Sequence, residues 1–297
     1  ILPSYTWVSC ANSIVLAGHK PIFCDVDDSS MNVTKELIEA KMTDKTAAIM
    51  IVHYAGLPVE MDEIISLGLP IIEDAAHAVC STYKGRPCGN ISDVGIFSFD
   101  SVKNLAAGEG GGISTRDGNL IEEAKKLRYC GIEKSGFQNA TDDTKLSELW
   151  WEYQIAKPFI KMLPNNVSAS IALAQLDKID QLQARRETIW NFYQSEFTNN
   201  PNIITPQDAR DGEKHSYFTY CIKVNKRNEL ARYLLEKNIY TTLRYHPLHL
   251  YPIYNQDNIK LTNTEILNKT ALNIPLHPRL SDDDISYVVS AIKNFFK

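Results

Sequence analysis

The segment IIEDAAHAVCSTYKGRPCGNISDVGIFSFDSVKNLAAGEGGGIS, residues 71–114, contains two short apolar runs that are each followed by polar residues. Such runs, bounded by turn residues, are typical of buried parallel strands. The carboxyl ends of parallel strands meet at one edge of a sheet, where ligands commonly bind. The segment therefore predicts that Asp74, which ends the first run, and Lys103, which follows the second, lie in one crevice.

The residues before this segment alternate between strand and helix patterns. Apolar runs predict strands over 21–26 and 46–53, and periodic patterns predict helices over 33–41 and 61–67. Such alternation is typical of βαβ units. We therefore predict an α/β fold with a mostly parallel sheet flanked by helices.

The carboxyl-terminal part follows a different order. Residues 166–197 are strongly helical, with apolar residues at helical spacing. The later predicted elements are a strand over 217–224, a helix over 228–237, a strand over 240–243 and helices over 263–272 and 281–296. This order predicts a smaller α+β domain, so we place a large domain at 1–180 and a small domain at 181–297.

Composition limits the classes of protein and ligand. The chain has 297 residues and a net charge of −5, so no overall basic field favours nucleic acid or an anionic membrane. No apolar run approaches the ~20 residues that span a bilayer. Its six cysteines are scattered without a C-x-x-C pair, which favours buried thiols in a reducing compartment over disulfides or zinc. We expect a cytoplasmic protein without a metal site.

Lys103 and Asp74 indicate one kind of chemistry. A lysine after a strand is usually only solvated. Here the sequence G-E-G-G-G at 108–112 follows the lysine, and an acid ends the neighbouring strand. A lysine that forms a Schiff base and a carboxylate that pairs with a pyridinium nitrogen are the two groups that a pyridoxal 5'-phosphate (PLP) site needs.

Several motifs resemble those of one enzyme family. The sequences D-A-A-H at 74–77, F-S-F-D-S-V-K-N at 97–104 and G-E-G-G at 108–111 are similar to motifs of the DegT/DnrJ/StrS-type sugar aminotransferases. P-S-Y-T-W at 3–7 and R-Y-H-P-L-H-L at 244–250 extend the resemblance over essentially the whole chain. The resemblance implies a fold-type I PLP enzyme that aminates keto-sugar nucleotides.

The resemblance implies a role for each matching residue. Lys103 would hold the cofactor aldehyde and move a proton as general acid and base, and Asp74 would keep the pyridine nitrogen protonated. His77 would contact the ring or its 3-hydroxyl, Ser98 would donate to the phosphate, and Trp7 would stack on the ring. From the residues alone, a structural histidine, a serine satisfied by backbone and a core tryptophan stay open for these three positions.

The family builds each site at a two-fold interface, so the resemblance also implies a homodimer. An asparagine of the partner subunit reaches the phosphate there, and Asn165 or Asn166 lies near the matching region. Arg244 and His246 would meet substrate from the small domain or lie at the surface. Asp100 stands where many members have histidine, which bears on selectivity for the sugar.

Residues 131–164 predict an irregular segment, and loops of this length are usually functional or mobile. Its paired tryptophans, Trp150 and Trp151, would stack on a nucleotide base or pack at a dimer interface. The resemblance further implies an upstream segment with a helix start that cradles the cofactor phosphate. A chain without that segment would be a fragment or an inactive member of the family.

The activity that the resemblance implies is transfer of an amino group from glutamate to a keto-sugar nucleotide, in bacterial deoxyaminosugar or polysaccharide biosynthesis. A non-catalytic PLP-binding regulator is the alternative from another class. A nicotinamide dehydrogenase is disfavoured, because the glycine run at 108–112 precedes an apolar run and lacks G-x-G-x-x-G spacing.

Overall fold

A computed structural model describes residues 1–133, 151–254 and 259–297. The predicted irregular segment is therefore described only over 131–133 and 151–164, and Trp150 lies outside the described residues. Within the described ranges, every helix is too short or too polar to cross a bilayer.

The first part of the chain forms a mostly parallel sheet, as predicted. The strands of this part of the chain are β1 (Leu2–Pro3), β2 (Phe23–Cys24), β3 (Ile49–Val52), β4 (Ile71–Asp74), β5 (Thr82–Tyr83), β6 (Arg86–Pro87), β7 (Val94–Ser98) and β8 (Gly111–Thr115), of which β5 and β6 form a separate hairpin. Its helices are α1 (Val8–Leu16), α2 (Lys35–Glu39), α3 (Met61–Ile65) and α4 (Gly118–Leu127). The prediction did not include the short β5–β6 hairpin.

The central sheet has the order β3-β4-β7-β8. β3 and β7 both run parallel to β4, whereas β8 pairs antiparallel with β7. The parallel β1–β2 pair lies beside β3, because the Met50 N–H donates to the Ile1 carbonyl at 2.8 Å. In the β4–β7 register Asp74 pairs with Ile96, so the acid lies beside the strand that leads to Lys103.

The second part forms a smaller α+β unit. Its elements are α5 (Asn166–Leu176), α6 (Ile179–Phe197), β9 (Tyr220–Lys223), α7 (Arg227–Glu236), α8 (Thr262–Thr270), β10 (Ala271–Ile274) and α9 (Asp282–Phe295). β9 and β10 pair antiparallel, and a hydrophobic cluster that includes Trp190, Tyr220 and Ile292 packs around them. The division at residue 180 remains a prediction.

One predicted element of this part is wrong, and another ends earlier than predicted. Residues 240–243 do not form a strand; only Thr242 bridges to the sheet, through Asn273. The helix predicted over 263–272 ends at Thr270, and the chain continues as β10. Pairing with β9 outweighs the helical pattern here, and Pro275 restricts the preceding residue to extended backbone.

Glu73 is a buried carboxylate on the opposite face of β4 from Asp74, because successive strand residues alternate between faces. It accepts hydrogen bonds from the N–H groups of Gly89 and Ile91, both at 2.7 Å, and of Ser92 at 2.6 Å. Burial alone would raise the pKa of the Glu73 carboxyl. The hydrogen bond from His53, together with the N–H groups of Ser92 and Gly89, holds the pKa at about 2 instead.

His53 and Gly95 complete this arrangement. The Nε2 of His53 lies 3.1 Å from Glu73, and its Nδ1 accepts the Val59 N–H at 3.0 Å, so Nε2 carries the proton. A Cβ at Gly95 would lie 1.7 Å from the Gly89 carbonyl oxygen. The absence of a side chain there lets the turn that Glu73 holds pack directly on β7.

Replacing Glu73 with Gln should lower the free energy of unfolding by about 3 kcal/mol, because an amide nitrogen would face backbone N–H donors. The folded-state pKa of Glu73, about 2, lies below the ordinary value of 4.5. The carboxylate therefore contributes its full stability above about pH 4.5 and loses it as the pH falls towards 2. Denaturant unfolding of both proteins across this range measures the difference.

The exposed Glu39 provides a matched control, since Glu39→Gln removes the same charge outside any buried network. This variant should unfold within about 0.5 kcal/mol of the unmodified protein. Equal stability of the two variants would contradict the role given to Glu73.

Candidate active site

A cavity of about 550 Å³ opens at the carboxyl ends of β4 and β7. The five residues to which the sequence analysis assigned cofactor roles within one chain line it: Trp7, Asp74, His77, Ser98 and Lys103. They come from the start of α1, the end of β4, the turn after it, the end of β7 and the loop beyond β7. The predicted crevice therefore exists, and it contains both the lysine and the acid.

Lys103 lies half-buried in a turn after β7, where its backbone N–H donates to the Asp100 carbonyl at 2.9 Å. Its Nζ is 5.0 Å from the centroid of the Phe218 ring, within the range of a cation–π contact. Burial lowers the pKa of the Lys103 amine, Asp74 opposes this shift and Arg244 adds to it. The net effect lowers the pKa, so a larger fraction of the amine is unprotonated, which is the nucleophilic form.

Asp74 is held by two donors. Its Oδ1 accepts the Ala76 N–H at 2.9 Å, and its Oδ2 accepts the Cys10 thiol at 3.0 Å. Burial, together with the charge of Asp74, raises the pKa of Cys10 well above its ordinary value. Cys10 therefore stays a thiol and can donate to the carboxylate.

His77 is a buried, neutral histidine. Its ring stacks on Phe218 at a centroid distance of 4.0 Å, and its Nε2 lies 2.9 Å from the Tyr245 hydroxyl. Burial, together with the charges of Lys103 and Arg244, lowers the pKa of His77 well below its ordinary value. Among the described residues its buried Nδ1 has no hydrogen-bond partner, which is costly unless a ligand supplies one.

Trp7 and Ser98 both line the cavity, where Trp7 could stack on a flat ligand and Ser98 could donate to an anionic group of that ligand. Trp7 is 57% exposed, so it is not a core tryptophan, and its ring lies 5.6 Å from that of Tyr245. Ser98 Oγ accepts the Asp100 N–H at 3.4 Å, an interaction that does not use the hydroxyl proton. That proton remains available for a ligand.

The other residues named from the sequence fall into two groups. Arg244 lines the cavity, with its Cζ 5.1 Å from the Phe218 ring centroid, and Asp100 also lines it. His246 is exposed and packs edge-on against Tyr251, away from the cavity lining. Asn165 is an exposed residue that caps α5, accepting the Ser168 N–H at 2.8 Å. It does not line the cavity of its own chain.

Three residues of the cavity region were not anticipated: Cys10, Phe218 and Tyr245. Tyr245 lies inside the motif quoted at 244–250 and Cys10 follows the motif quoted at 3–7, but only tertiary contacts show that they touch His77 and Asp74. Phe218 lies in a predicted strand and carries no motif. Within the described ranges, no cluster of three or more His, Cys, Asp or Glu residues could hold a metal ion.

Two substitutions should shift the pKa of Lys103 in opposite directions in the cofactor-free protein. Asp74→Asn removes a negative charge that stabilises the ammonium form, so the pKa should fall. Arg244→Gln removes a positive charge that destabilises it, so the pKa should rise. The pH dependence of reductive methylation at Lys103, followed by mass spectrometry, measures both shifts. The exposed Lys45 is the internal control, and shifts of the same sign would contradict this arrangement.

Comparison with known proteins places this site in a family. The sequence model of the DegT/DnrJ/EryC1/StrS aminotransferase family matches residues 1–293. The dTDP-4-dehydro-2,3,6-trideoxy-D-glucose 4-aminotransferase of Saccharopolyspora spinosa is 35% identical over 295 residues, which cover 97% of this chain and 75% of the relative.

Solved structures agree. The aminotransferase TlmJ from Streptoalloteichus hindustanus superposes with a TM-score of 0.91 at 33% identity, covering 99% of this chain and 78% of that one. The PLP-form of Spr1654 from Streptococcus pneumoniae superposes with a TM-score of 0.87 at 26% identity, covering 99% and 79%. The resemblance seen in the motifs is therefore confirmed: the chain belongs to the DegT/DnrJ/EryC1/StrS family of PLP-dependent sugar aminotransferases.

Proposed function

We propose that this protein transfers an amino group from glutamate to a keto-sugar nucleotide, in the biosynthesis of a deoxyaminosugar or polysaccharide. The observation that carries the proposal is the cavity in which a partly desolvated lysine, Lys103, lies with the carboxylate of Asp74. The similarity to a dTDP-keto-sugar aminotransferase supports this class of acceptor.

The residues of the cavity fit PLP. Lys103 would bind its aldehyde, and Asp74 would pair with the ring nitrogen. The unpartnered Nδ1 of His77 would meet a polar substituent of the ring, Ser98 would donate to the phosphate, and the exposed Trp7 would cover a ring face. When bound, PLP supplies an aldehyde that carries the amino group and a ring that withdraws electrons.

The protein's own side chains transfer protons, stabilise charge and bind the substrate. The neutral amine of Lys103 takes the proton from Cα of the amino donor and later returns a proton to the sugar carbon that accepts nitrogen. The Asp74 carboxylate would stabilise positive charge on the ring nitrogen of the cofactor. His77, neutral because of its burial, holds its position through Tyr245 and Phe218 without acting as an acid. Arg244 meets an anionic group of the substrate.

A second copy of the chain would complete the site. The described residues 151–176 present a broad apolar surface: Ile155, Ile160, Val167 and Leu173 are each more than 60% exposed. A surface of this kind usually marks an interface between proteins. Asn165 lies within it, exposed at the start of α5. Contact between two copies through this surface would bring Asn165 to the phosphate site of the partner, as the family resemblance implies.

Lys103→Ala should lower the rate of amino transfer by about a thousandfold, because the general acid and base is lost. The reaction is followed as glutamate converts the bound cofactor to its pyridoxamine form, which shifts its absorbance. Lys45→Ala removes an exposed lysine outside the cavity and should react like the unmodified protein. Unchanged transfer by Lys103→Ala would contradict the proposal.

The same assay separates an enzyme from a regulator. Borohydride should fix the cofactor on Lys103 in either case. A protein that holds the cofactor there but does not convert it with glutamate would be a PLP-binding regulator or an inactive member, and the proposed activity would be wrong.

Leu173→Glu should weaken the homodimer, because it places a charge in the apolar surface that the second copy covers. Leu235→Glu on α7 makes the same change at a residue of similar exposure outside that surface and serves as the control. Light scattering after size exclusion gives the mass of each variant. A monomeric unmodified protein, or a dimer unaffected by Leu173→Glu, would exclude this interface.

A further inference from the structure

The loop that carries Lys103, residues 99–110, is tied to the rest of the protein by one side-chain hydrogen bond. Asn104, the residue after the lysine, donates from Nδ2 to the Ser216 carbonyl at 2.7 Å, across 112 residues of sequence. Among the described residues, the other hydrogen bonds of residues 100–107 have partners within 98–108. The bond from Asn104 is therefore the one that fixes this lysine loop against another segment.

The surroundings of Asn104 make this bond directional and costly to lose. Its side chain is 6% exposed, and Leu105 and Ala107 of the same loop are buried as well. Apolar packing of these two residues holds the loop in place without fixing its direction. A buried carbonyl that loses its donor stays unpaired, which costs free energy.

Ser216 joins the lysine loop to the turn that carries His77. It is fully buried, and its hydroxyl donates to the His77 carbonyl at 2.5 Å while its own carbonyl accepts from Asn104. A Cβ at Gly56 would lie 2.0 Å from the Ser216 Oγ, so this approach requires glycine at position 56. One residue of the small α+β unit thus sets the spacing between two parts of the active site.

The residues that follow Ser216 are held from the opposite side. Tyr217 has a φ of 48°, in the left-handed region that residues other than glycine rarely adopt. Its ring lies 5.2 Å from that of Trp190, and its N–H donates to His215 Nδ1 at 2.7 Å. The buried Arg186 of α6 donates from Nη1 to the carbonyls of Tyr217 and Phe218 at 3.5 and 3.3 Å. Such a backbone conformation persists only where its surroundings hold it, and it is often found beside functional sites.

We infer that Asn104 is a positioning residue for the amino transfer, because its bond to Ser216 sets where the amine of Lys103 lies in the cavity. Phe218, two residues after Ser216, has its ring 5.0 Å from the Nζ of Lys103, so the same segment also contacts the amine. Misplacing a reacting group by about 1 Å can slow a reaction by about a hundredfold. The inference rests on the proposed function, because it takes Lys103 to be the reacting amine.

The pH dependence of reductive methylation at Lys103 in the cofactor-free chain tests the inference without requiring turnover. Asn104→Ala changes no charge, so a shift in the Lys103 pKa reports a changed position of the amine. We expect this pKa to rise towards its ordinary value, because a loop without its tie exposes the amine to water. Asn104→Ser keeps a donor that is one atom shorter, so it should recover part of the shift.

The PLP-loaded enzyme gives a second readout. In Asn104→Ala, the rate of cofactor conversion at saturating glutamate should fall about tenfold, whereas the glutamate concentration at half-saturation should change little. This division distinguishes a displaced amine from weaker binding of the amino donor. An unchanged rate of conversion would overturn the inference.

Asn263→Ala is the matched control. Asn263 also donates from Nδ2 to a carbonyl of a distant segment, that of Val26 at 2.9 Å, and it does not line the active-site cavity. This variant should lose about 1 kcal/mol of stability without a change in the Lys103 pKa.

Equal Lys103 pKa values in Asn104→Ala and Asn263→Ala would overturn the inference. If Asn104→Ala does not fold, Asn104→Ser takes its place in this comparison, and equality would overturn the inference in the same way. If the Lys103 pKa depends on Asn104 but glutamate does not convert the cofactor in the unmodified protein, Asn104 still positions the amine and the proposed activity fails.

Discussion

The carboxylate of Glu73 is the interaction on which the site depends. In the folded protein its hydrogen bonds to water are replaced by hydrogen bonds from three backbone N–H groups of one turn and from the imidazole of His53. This network fixes where the turn before β7 lies relative to β4. Because Asp74 is the next residue of β4, and β7 leads directly to Lys103, the same network sets the positions of the two reactive groups. A buried charge on one face of a strand thus supports the chemistry on the other.

The active site depends on opposed electrostatic effects at Lys103. Burial and Arg244 favour its neutral amine, whereas Asp74 favours the ammonium form. A transaminase needs both forms, since the amine must take up a proton and later release it. Burial and the charges of Lys103 and Arg244 lower the pKa of His77, so this histidine stays neutral and positions its neighbours without acting as an acid.

The sequence predicts the parts of this molecule that local pattern controls. Two short apolar runs were enough to place Asp74 and Lys103 in one crevice, because the carboxyl ends of parallel strands share an edge. Cys10, Phe218 and Tyr245 could not be found this way, since each reaches the site from a distant segment through a tertiary contact. The same reason explains the strand wrongly predicted over 240–243 and the helix that ends early at Thr270. Glu73 was visible as an acid inside an apolar run, and strand alternation would have shown that it faces the core.

Phe218 belongs to the small α+β unit, yet its ring contacts His77, Lys103 and Arg244. The positions of these three side chains therefore all depend on the same Phe218 ring. Kinetic effects of substitutions at these positions are not expected to add, and double-mutant cycles should show coupling between residues that do not touch. The measured effect of substituting any one of them will therefore include changes in the packing of the shared Phe218 ring as well as the loss of the individual side chain.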